Sequence, residues 1–365
     1  MKVLFVTNLP SPYRVDFFNE LGKMCELTVC YERHTATDRD ERWKGVSPEN
    51  FKEIFARVKP IGTDQSIGLG IVNVIKKEKF DRIIIAGYAS PSVMLAIFYC
   101  KFKKIPYCIE SDGAFYKEEK GIKRLFKRSL LNGAEIQFTT CEEHIRYFTQ
   151  LGIPREKIFK YPFTSLKNGD ISEKVPTYEE KRILRQNLGM PEEKIILSVG
   201  RFIHCKGYDV LLNSVLNLPN NFGIYIVGGK PTEEYLNFKT ENNLTNVHFV
   251  DFKKKDELAE YYRASDVFVF PTREDIWGLV VNEAMAKGLP VISTNRCNSG
   301  LELIEDGKEG YIVPAENADE LSDKIMLIFN DDEKLFQMQQ NALEKVKNYT
   351  VANMASEHIR ALNMK

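Results

Sequence analysis

Short apolar runs rich in β-branched residues alternate with helical patterns along most of this sequence. In the first half, runs such as KVLFVT, RIIIAGY and AEIQFTT are separated by helical segments such as VDFFNELGKM. A second series begins at KIILSVG and continues through FGIYIVGG, DVFVFPT, PVIST and EGYIVP. Such an alternation is typical of parallel sheets covered by helices on both faces. The sequence therefore predicts an α/β protein built from doubly wound sheets.

The chain is long enough for two such sheets. It has 365 residues, more than the roughly 250 to 300 at which a single core stops growing. A polar stretch without strand character, TSLKNGDISEKVPTYEEKR at 164–182, is typical of an interdomain linker. We expect an N-terminal domain over 1–170, a C-terminal domain over 171–347 and a separate final helix over 348–365.

Composition excludes several classes of protein. Lys plus Arg equals Asp plus Glu at 51 each, so no bulk field attracts nucleic acid. No apolar run reaches the roughly 18 residues of a membrane span, and the N-terminal run is too short for a signal-peptide core. The seven cysteines form no C-x-x-C pair, which argues against a disulfide framework or a zinc site. We therefore expect a cytoplasmic protein with no nucleic-acid partner.

One candidate site lies in ILSVGRFIHCKGYDVLLNSV. A strand ends at Gly200, and a short loop carries Arg201 and Lys206 before a helix that starts near Gly207 or Tyr208. A helix N-terminus favours anions, so two cations beside it make sense if an anion lies between them. Arginine offers a planar fork for phosphate oxygens and lysine a mobile point charge. The alternative is a pair of solvated loop cations.

A second candidate site lies in DVFVFPTREDIWGLVVNEAMAKGLPVI. Glu274 and Asp275 follow a strand, at the sheet edge where open α/β sheets place ligands. Glu283 lies eight residues after Asp275, at the edge of the apolar arc of a helix that starts near Gly278. Carboxylates accept strong hydrogen bonds from hydroxyls, so this spacing suits a polyhydroxylated ligand. The alternative is a first-turn acid and a solvated glutamate.

Some nucleotide-binding motifs are absent from the sequence. The first strand-to-helix turn has no G-x-G-x-x-G, and G-x-x-x-x-G-K-[ST] occurs nowhere, which disfavours nicotinamide-dependent and P-loop enzymes. Asp38 and Asp40 form a D-x-D, a spacing that some nucleotide-sugar enzymes use for a divalent metal. They follow no apolar strand, so a solvated loop is the favoured interpretation. We predict no metal and no cofactor.

The ordered segments VGRFIHCKGYDVLL, ASDVFVFPTREDIWGLVVNEAMAKGLPVISTN and ELIEDGKEGYIVP resemble the C-terminal domain of family 4 retaining glycosyltransferases of the GT-B fold. The segments PSPYRVDFFNEL and TTCEEHIRYFTQLGIPREKIFKYP resemble the N-terminal half of bacterial members that build surface polysaccharides. The resemblance implies two Rossmann-like domains facing a cleft, with the final helix packing back on the first. It implies a nucleoside diphosphate sugar as donor and a glycan or polyprenyl-linked hydroxyl as acceptor.

The family's site residues carry over where positions match. Its phosphate-binding Arg and Lys match Arg201 and Lys206, and its E-x7-E element matches Asp275 and Glu283. By this resemblance Glu283 contacts the ribose and Asp275 the donor sugar. Asp275 is one methylene shorter than the family's glutamate and follows Glu274, so the sugar contact stays open between these two acids. The backbone expected to approach the donor is that of Gly200, Ile276, Trp277, Gly278 and Leu279.

The N-terminal half departs from the family pattern. Many relatives have a glycine-rich loop after the first strand, where this chain has Pro10, Ser11, Pro12 and Tyr13. The nearest counterparts of the relatives' acceptor-side residue are Glu110 and Asp112 in CIESDGAFY. We take Asp112 as the catalytic candidate there, with a turn-initiating acid as the alternative.

A basic and apolar run, KEEKGIKRLFKRSLLNG, follows this region. Ile122, Leu125, Phe126 and Ser129 share one helical face, and Lys and Arg side chains occupy much of the rest of the 120–131 helix. Such a helix could lie on the anionic inner face of the cell membrane, which would suit a lipid-linked acceptor. The alternative is a helix that buries its apolar face against the N-terminal sheet.

The reaction implied is transfer of a sugar to a hydroxyl with retention at the anomeric carbon. Arg201, Lys206 and helix-end amides would stabilise the charge that grows on the leaving diphosphate, in place of a metal. Two alternatives remain open: a nucleotide-sugar epimerase or glycan phosphorylase on the same fold, and a non-catalytic nucleotide-sugar-binding partner.

Overall fold

The computed structural model describes residues 1–34, 47–61, 65–116 and 118–364. The chain divides into two compact units, which we call unit 1 and unit 2. Unit 1 comprises Met1–Ser165 with Thr350–Lys365, and unit 2 comprises Leu166–Tyr349. The boundaries expected from the sequence lay at 171 and 348.

The strands of both units follow one another along the chain in the following order: β1 Lys2–Thr7, β2 Glu26–Tyr31, β3 Lys52–Phe55, β4 Lys59–Ile61, β5 Gln65–Ile67, β6 Arg82–Ala86, β7 Cys108–Glu110, β8 Gln137–Thr139, β9 Ile158–Lys160, β10 Lys194–Val199, β11 Phe222–Val227, β12 Val247–Val250, β13 Val267–Phe270, β14 Val291–Thr294 and β15 Gly310–Val313.

The helices are, in the same way: α1 Pro12–Gly22, α2 Gly70–Lys77, α3 Pro91–Lys103, α4 Gly121–Leu131, α5 Glu142–Gln150, α6 Tyr178–Leu188, α7 Tyr208–Val215, α8 Glu233–Glu241, α9 Lys255–Ala264, α10 Leu279–Met285, α11 Asn298–Leu303, α12 Ala318–Phe329, α13 Asp332–Val346 and α14 Val351–Asn363.

Each unit is built on a parallel sheet. Unit 1 has the strand order β3-β2-β1-β6-β7-β8-β9, and unit 2 has β12-β11-β10-β13-β14-β15. Every pair in these two sheets is parallel. The central strands are mostly apolar because helices cover both faces, and the residues from Ile195 to Leu197 in β10 are fully buried. The predicted α/β class is confirmed.

Helix α14 belongs to unit 1, where it packs beside α1. Its His358 is fully buried, stacks on Phe138 at a centroid distance of 4.6 Å, and lies with Nε2 3.3 Å from Glu110 Oε2. Arg14 Nη1 donates to Glu110 Oε1 at 2.5 Å, and the Tyr161 hydroxyl donates to the same oxygen at 2.9 Å. The final helix is thus attached through a buried carboxylate at the end of β7.

The Glu110 carboxylate is ionised in spite of its burial. Desolvation raises its pKa, but the charge of Arg14 and the hydrogen bond to His358 outweigh that effect and lower the pKa to about 2. A carboxyl group with a lowered pKa stabilises the folded state most above its unfolded pKa. That contribution is lost as the pH falls from about 4.5 toward about 2.

We expect Glu110→Gln to reduce the free energy of unfolding by about 3 to 5 kcal/mol at pH 7, because it removes one charge from a buried ion pair. The loss should shrink as the pH falls below about 4.5, and urea unfolding at several pH values measures it. The control is Arg360→Ala, which breaks the more exposed pair with Glu357 on the same helix and should cost far less stability. Equal losses for both variants would contradict the assignment.

Candidate functional site

Both motifs of the C-terminal half meet at one point of the unit 2 sheet. Strands β10 and β13 are direct neighbours, with Ile196 opposite Val267. The chain continues from β10 to β11 and β12 on one side, and the later strands lie on the other. The carboxyl ends of β10 and β13 therefore flank a topological switch point, where open α/β sheets bind ligands.

The loop after β10 rests directly on the end of β13. The carbonyl of Cys205 accepts hydrogen bonds from Thr272 Oγ1 and from the backbone N–H of Arg273, both at 2.7 Å. Gly207 has a φ of 68°, and a Cβ atom there would lie 2.1 Å from the carbonyl oxygen of Pro271. Only glycine fits this approach. This close approach of Gly207 to Pro271 also fixes the position of Lys206, one residue earlier.

Arg273 holds the loop after β10 in place. The sequence did not indicate it as a site residue. Its guanidinium donates to both carboxylate oxygens of Asp209 at 2.9 and 2.6 Å, to Glu316 at 2.8 Å and to the His204 carbonyl at 2.8 Å. The hydrogen bond with Asp209 is the main cause of its raised pKa. The one signal in the sequence was its place immediately before the two acids.

Lys206 and Asp275 are in direct contact. Lys206 Nζ donates to Asp275 Oδ2 at 2.5 Å, and the side chains are only 16% and 20% exposed. The ammonium also lies 5.0 Å from the ring centroid of Phe270. Asp275 Oδ1 accepts from the backbone N–H of Trp277 at 3.2 Å. The predicted cation and the predicted acid thus form one charged group at the switch point.

Glu274 occupies a different environment from its neighbour. Its carboxylate accepts from Arg296 at 2.6 Å and is 55% exposed. Asp275 points instead toward the loop after β10. The structure therefore separates two acids that the sequence left interchangeable, and Asp275 is the one that contacts Lys206.

Glu283 lies on α10, which is held in place by its apolar side. Val281, Ala284 and Met285 are fully buried, and Glu283 is partly exposed. The hydroxyl of the buried Tyr262 donates to Glu283 Oε2 at 3.2 Å. Burial is the main cause of the raised pKa of Tyr262, and the Glu283 charge adds to it. Tyr262, on α9, is a second contact that the sequence did not indicate.

The residues between Asp275 and α10 form a rigid turn. Trp277 is buried and donates its Nε1–H to the buried Asn282 at 2.8 Å. Gly278 precedes Leu279 with a φ of 91°, and a Cβ atom on it would lie 3.0 Å from Cys297 Sγ. Ile276 is exposed. Arg201, directly after Gly200, is exposed.

In unit 1, the two acids of CIESDGAFY differ in exposure. Glu110 is fully buried, whereas the Asp112 side chain is 37% exposed and accepts from Arg14 Nη2. The backbone carbonyl of Asp112 accepts from Thr140 Oγ1 at 2.8 Å. Asp112 is therefore the accessible acid of the pair, and its catalytic role stays a prediction.

The described ranges contain no group of three His, Cys, Asp or Glu side chains placed to hold a metal ion. Asp38 and Asp40, the D-x-D considered above, lie outside the described residues. Among the helices of those same ranges, none is long and apolar enough to cross a bilayer.

Comparison with known proteins shows which family the C-terminal half resembles. Residues 180–345 match the family model described as "Glycosyl transferases group 1". An uncharacterized glycosyltransferase of Methanocaldococcus jannaschii is 32% identical over 154 residues, which are 42% of this chain and 43% of that protein. The chain thus aligns with less than half of that relative's length.

Two further similarities extend over more of the chain. The N,N'-diacetylbacillosaminyl-diphospho-undecaprenol alpha-1,3-N-acetylgalactosaminyltransferase of Campylobacter jejuni is 24% identical over 307 residues, 80% of this chain and 78% of that enzyme. The crystal structure of Anabaena HepE in complex with UDP superimposes with a TM-score of 0.79 at 17% identity, over 100% of both chains.

Residues 180–345 of unit 2 are thus similar to group 1 glycosyl transferases. The whole chain has the GT-B fold, with two Rossmann-like domains. The resemblance to glycosyltransferases of the GT-B fold drawn from the sequence is thus supported, whereas retention and a role in surface polysaccharides stay predictions.

We expect Gly207→Ala to disrupt the site, because its methyl group would overlap the Pro271 carbonyl. The matched control is Gly189→Ala, since Gly189 has the same φ of 68° with nothing within 4 Å of the added carbon. The control should lose about 1 to 2 kcal/mol of stability, and Gly207→Ala more than about 3 kcal/mol. Thermal unfolding measures both, and equal losses would contradict the close approach.

Proposed function

We propose that this protein transfers a sugar from a nucleoside diphosphate sugar to a hydroxyl of a glycan or polyprenyl-linked acceptor. Transfer would proceed with retention and without a metal, at the cytoplasmic side of bacterial surface polysaccharide assembly. The observation that carries the proposal is the 2.5 Å contact between Lys206 and Asp275 at the switch point of a domain that is similar to group 1 glycosyl transferases.

The diphosphate is the first group that this site suits. An ammonium group has three N–H donors, and the contact with Asp275 uses one of them. Two N–H donors remain for phosphate oxygens, and Arg201, an exposed residue on the same loop, has the planar guanidinium fork that suits the same group. HepE, which shares the fold, was crystallised with UDP and with UDP-glucose. Uridine diphosphate sugars are therefore the first donors to test.

The acids suit the hydroxyl groups of the same ligand. Asp275 is fixed through both carboxylate oxygens, one by Lys206 and the other by the Trp277 amide. Charged acceptors form strong hydrogen bonds with hydroxyls, so we assign Asp275 to the donor sugar and Glu283 to the ribose. Tyr262 fixes the orientation of the Glu283 carboxylate.

The chemical difficulty of the reaction is the charge that develops on the leaving diphosphate. Lys206, held at a defined position by Gly207 and Asp275, would stabilise that charge without reorganisation during the reaction. The leaving phosphate would help to deprotonate the acceptor hydroxyl on the same face of the sugar, which gives retention. Asp112 would bind the acceptor in unit 1.

The names of two relatives bear on the proposed acceptor and pathway. The name of the Campylobacter jejuni enzyme describes a sugar carried on diphospho-undecaprenol. A Klebsiella pneumoniae protein of the cps region is 27% identical over 281 residues, 74% of this chain and 75% of that protein. The Campylobacter name thus supports a lipid-linked acceptor, and the Klebsiella name gives only the cps region.

A thermal-shift panel of UDP-, GDP-, ADP- and dTDP-sugars tests the proposal. Ligand at about 100 times its Kd should stabilise the protein by about 2.7 kcal/mol. We expect a shift with one base, and we expect Lys206→Ala to lose both the shift and turnover while it keeps its fold. No shift with any donor, or near-normal turnover in the variant, would contradict the phosphate assignment.

The linkage of the product and the requirements of the reaction distinguish a retaining transferase from an epimerase, a phosphorylase and a binding protein. An α-linked donor should give an α-linked product by NMR, and EDTA should leave the rate unchanged. Donor consumption without an acceptor would indicate an epimerase, and dependence on free phosphate would indicate a phosphorylase. Donor binding without any turnover would indicate a binding protein.

We expect Asp275→Asn and Glu274→Gln to differ sharply, although the two positions are adjacent. Asp275→Asn removes the charge that holds Lys206, and we expect kcat to fall by about 10²- to 10³-fold. Glu274→Gln alters only the exposed contact with Arg296 and should change kcat by less than about twofold. Initial rates at saturating donor measure both, and the reverse order would assign the sugar contact to Glu274.

A further inference from the structure

One arginine of unit 1 contacts two acids at once. Arg14 lies in the first turn of α1 and is buried. Its Nη1 donates to Glu110 Oε1 at 2.5 Å, and its Nη2 donates to Asp112 Oδ1. The two acids lie at the end of β7 and just after it, with Ser111 between them. The planar guanidinium thus joins a fully buried acid to a partly exposed one.

The guanidinium of Arg14 has little freedom to move. Its Cζ atom lies 5.3 Å from the ring centroid of the buried Phe163. The Glu110 carboxylate that it contacts also accepts from the Tyr161 hydroxyl at 2.9 Å and lies 3.3 Å from His358 Nε2. An aromatic face and a carboxylate that is itself held by two neighbours therefore fix the plane of the guanidinium.

The fold requires only one of the two acids. A cation in the first turn of a helix opposes the macrodipole, and a buried guanidinium needs a carboxylate to compensate its desolvation. Glu110 meets that need from the fully buried side. The bond with Asp112 additionally fixes an acid whose side chain remains 37% exposed. Such a bond suits an acid that must keep one orientation while it contacts a ligand.

The backbone around Asp112 is fixed as well. The Glu110 carbonyl accepts from the Gly87 amide after β6, and the Ser111 amide donates to a carbonyl of β8. The Asp112 carbonyl accepts from the buried Thr140 at 2.8 Å. Within the described ranges, Asp112 Oδ1 is held by Arg14, and Oδ2 makes no hydrogen bond. This oxygen is therefore held in place without a partner among those residues.

The electrostatics of this group favour Asp112 as a hydrogen-bond acceptor. Desolvation raises the pKa of Asp112, the charge of Arg14 lowers it, and the charge of Glu110 raises it again. The pKa of Asp112 stays above its ordinary value, whereas the pKa of Glu110 falls to about 2. Asp112 is thus the more basic of the two carboxylates, and a more basic oxygen accepts a stronger hydrogen bond from a hydroxyl.

We propose that Arg14 is a positioning residue that orients Asp112 for the hydroxyl of the acceptor. Arg14 holds Oδ1 of Asp112, and Oδ2 accepts the hydrogen bond from that hydroxyl. This inference rests on the proposed transfer reaction and adds to it the residue that sets the acceptor geometry. It also connects the acceptor side with α14, because Arg14 and His358 share the Glu110 carboxylate.

Transfer kinetics of the full chain test the proposal, with N-acetylglucosaminyl-diphospho-undecaprenol as acceptor and the nucleotide sugar that gives the largest thermal shift as donor. Arg14→Lys keeps a cation beside Glu110, but an ammonium group lacks the fork that reaches both acids. We expect kcat/KM for the acceptor to fall by about 10- to 100-fold, with KM for the donor unchanged within about twofold. Asp112→Asn should show the same pattern.

The double variant separates positioning from a merely structural role. If Arg14 acts through Asp112, then Arg14→Lys combined with Asp112→Asn should match the slower single variant within about threefold. Independent effects would instead multiply, to a loss of about 10²- to 10⁴-fold, and that result would overturn the proposal.

A second variant tests the orientation of Asp112 without altering the buried ion pair. Thr140→Val releases the Asp112 carbonyl, and we expect kcat/KM for the acceptor to fall by about three- to tenfold. Its matched control is Thr149→Val on α5, which breaks a similar hydroxyl-to-carbonyl bond with Ile145 at 2.9 Å. The control should keep the parent rate.

A buried arginine of unit 2 controls for lost stability. Arg185 pairs with Asp266 at 2.7 Å, and Asp266 lies just before β13, at the end of the strand opposite to the switch point. Arg185→Lys should lower the melting temperature and leave kcat/KM for the acceptor unchanged at temperatures well below unfolding.

Parent-like acceptor kinetics in Arg14→Lys and in Thr140→Val would overturn the proposal and leave the donor assignment intact. Equal losses in the donor and acceptor parameters of Arg14→Lys would indicate a structural role and would also overturn it. Absence of both the donor-induced shift and transfer in the parent protein would count against the proposed function itself and overturn this inference with it.

Discussion

Much of the geometry at the switch point of unit 2 depends on the absence of one side chain. Gly207 allows the loop after β10 to lie against the Pro271 carbonyl at the end of β13, and a methyl group would prevent that approach. The contact places Lys206 beside Asp275, and Arg273 secures it through the His204 carbonyl and Asp209. Lys206 is therefore positioned by packing of backbone on backbone, which deforms less than a flexible side chain would.

Buried and partly exposed charged groups of the two units differ in what they can contact. In unit 1, Glu110 is fully buried, and its partners Arg14 and His358 leave it no access to a ligand. In unit 2, the charges at the switch point remain partly exposed, so they can exchange partners with a ligand. Burial thus distinguishes Glu110, which stabilises the fold, from Asp275, which suits binding. Both acids lie at or after the carboxyl end of a parallel strand.

The sequence predicted those features that depend on local pattern. Alternating strands and helices gave the α/β class, and the spacing of Arg201, Lys206, Asp275 and Glu283 located the candidate site at strand ends. Contacts between distant segments could not be predicted in this way. Arg273 and Asp209, which form an ion pair, are 64 residues apart in the sequence. Tyr262 and Glu283 lie on α9 and α10, the helices that precede and follow β13 along the chain.

Two questions that the sequence left open could be answered only from the structure: which of Glu274 and Asp275 contacts Lys206, and whether the apolar face of α4 is buried. Glu274 and Asp275 have the same charge and adjacent positions, and only the direction of the backbone after Pro271 turns one outward and the other toward Lys206. The apolar residues of α4 have the spacing of a buried face, but those between positions 122 and 126 are exposed. Periodicity alone does not reveal whether a sheet covers them.

The attachment of α14 to unit 1 has a consequence for how the protein is made. Glu110 and His358 are separated by 248 residues, and all of unit 2 lies between them. During synthesis the ribosome completes unit 2 before His358 emerges, so the nascent N-terminal sheet exists for a time without its last helix. Phe17 and Phe138, which flank the imidazole ring in the finished protein, lack that cover throughout this interval. Elongation beyond residue 350 therefore sets the earliest moment at which unit 1 can reach its full stability.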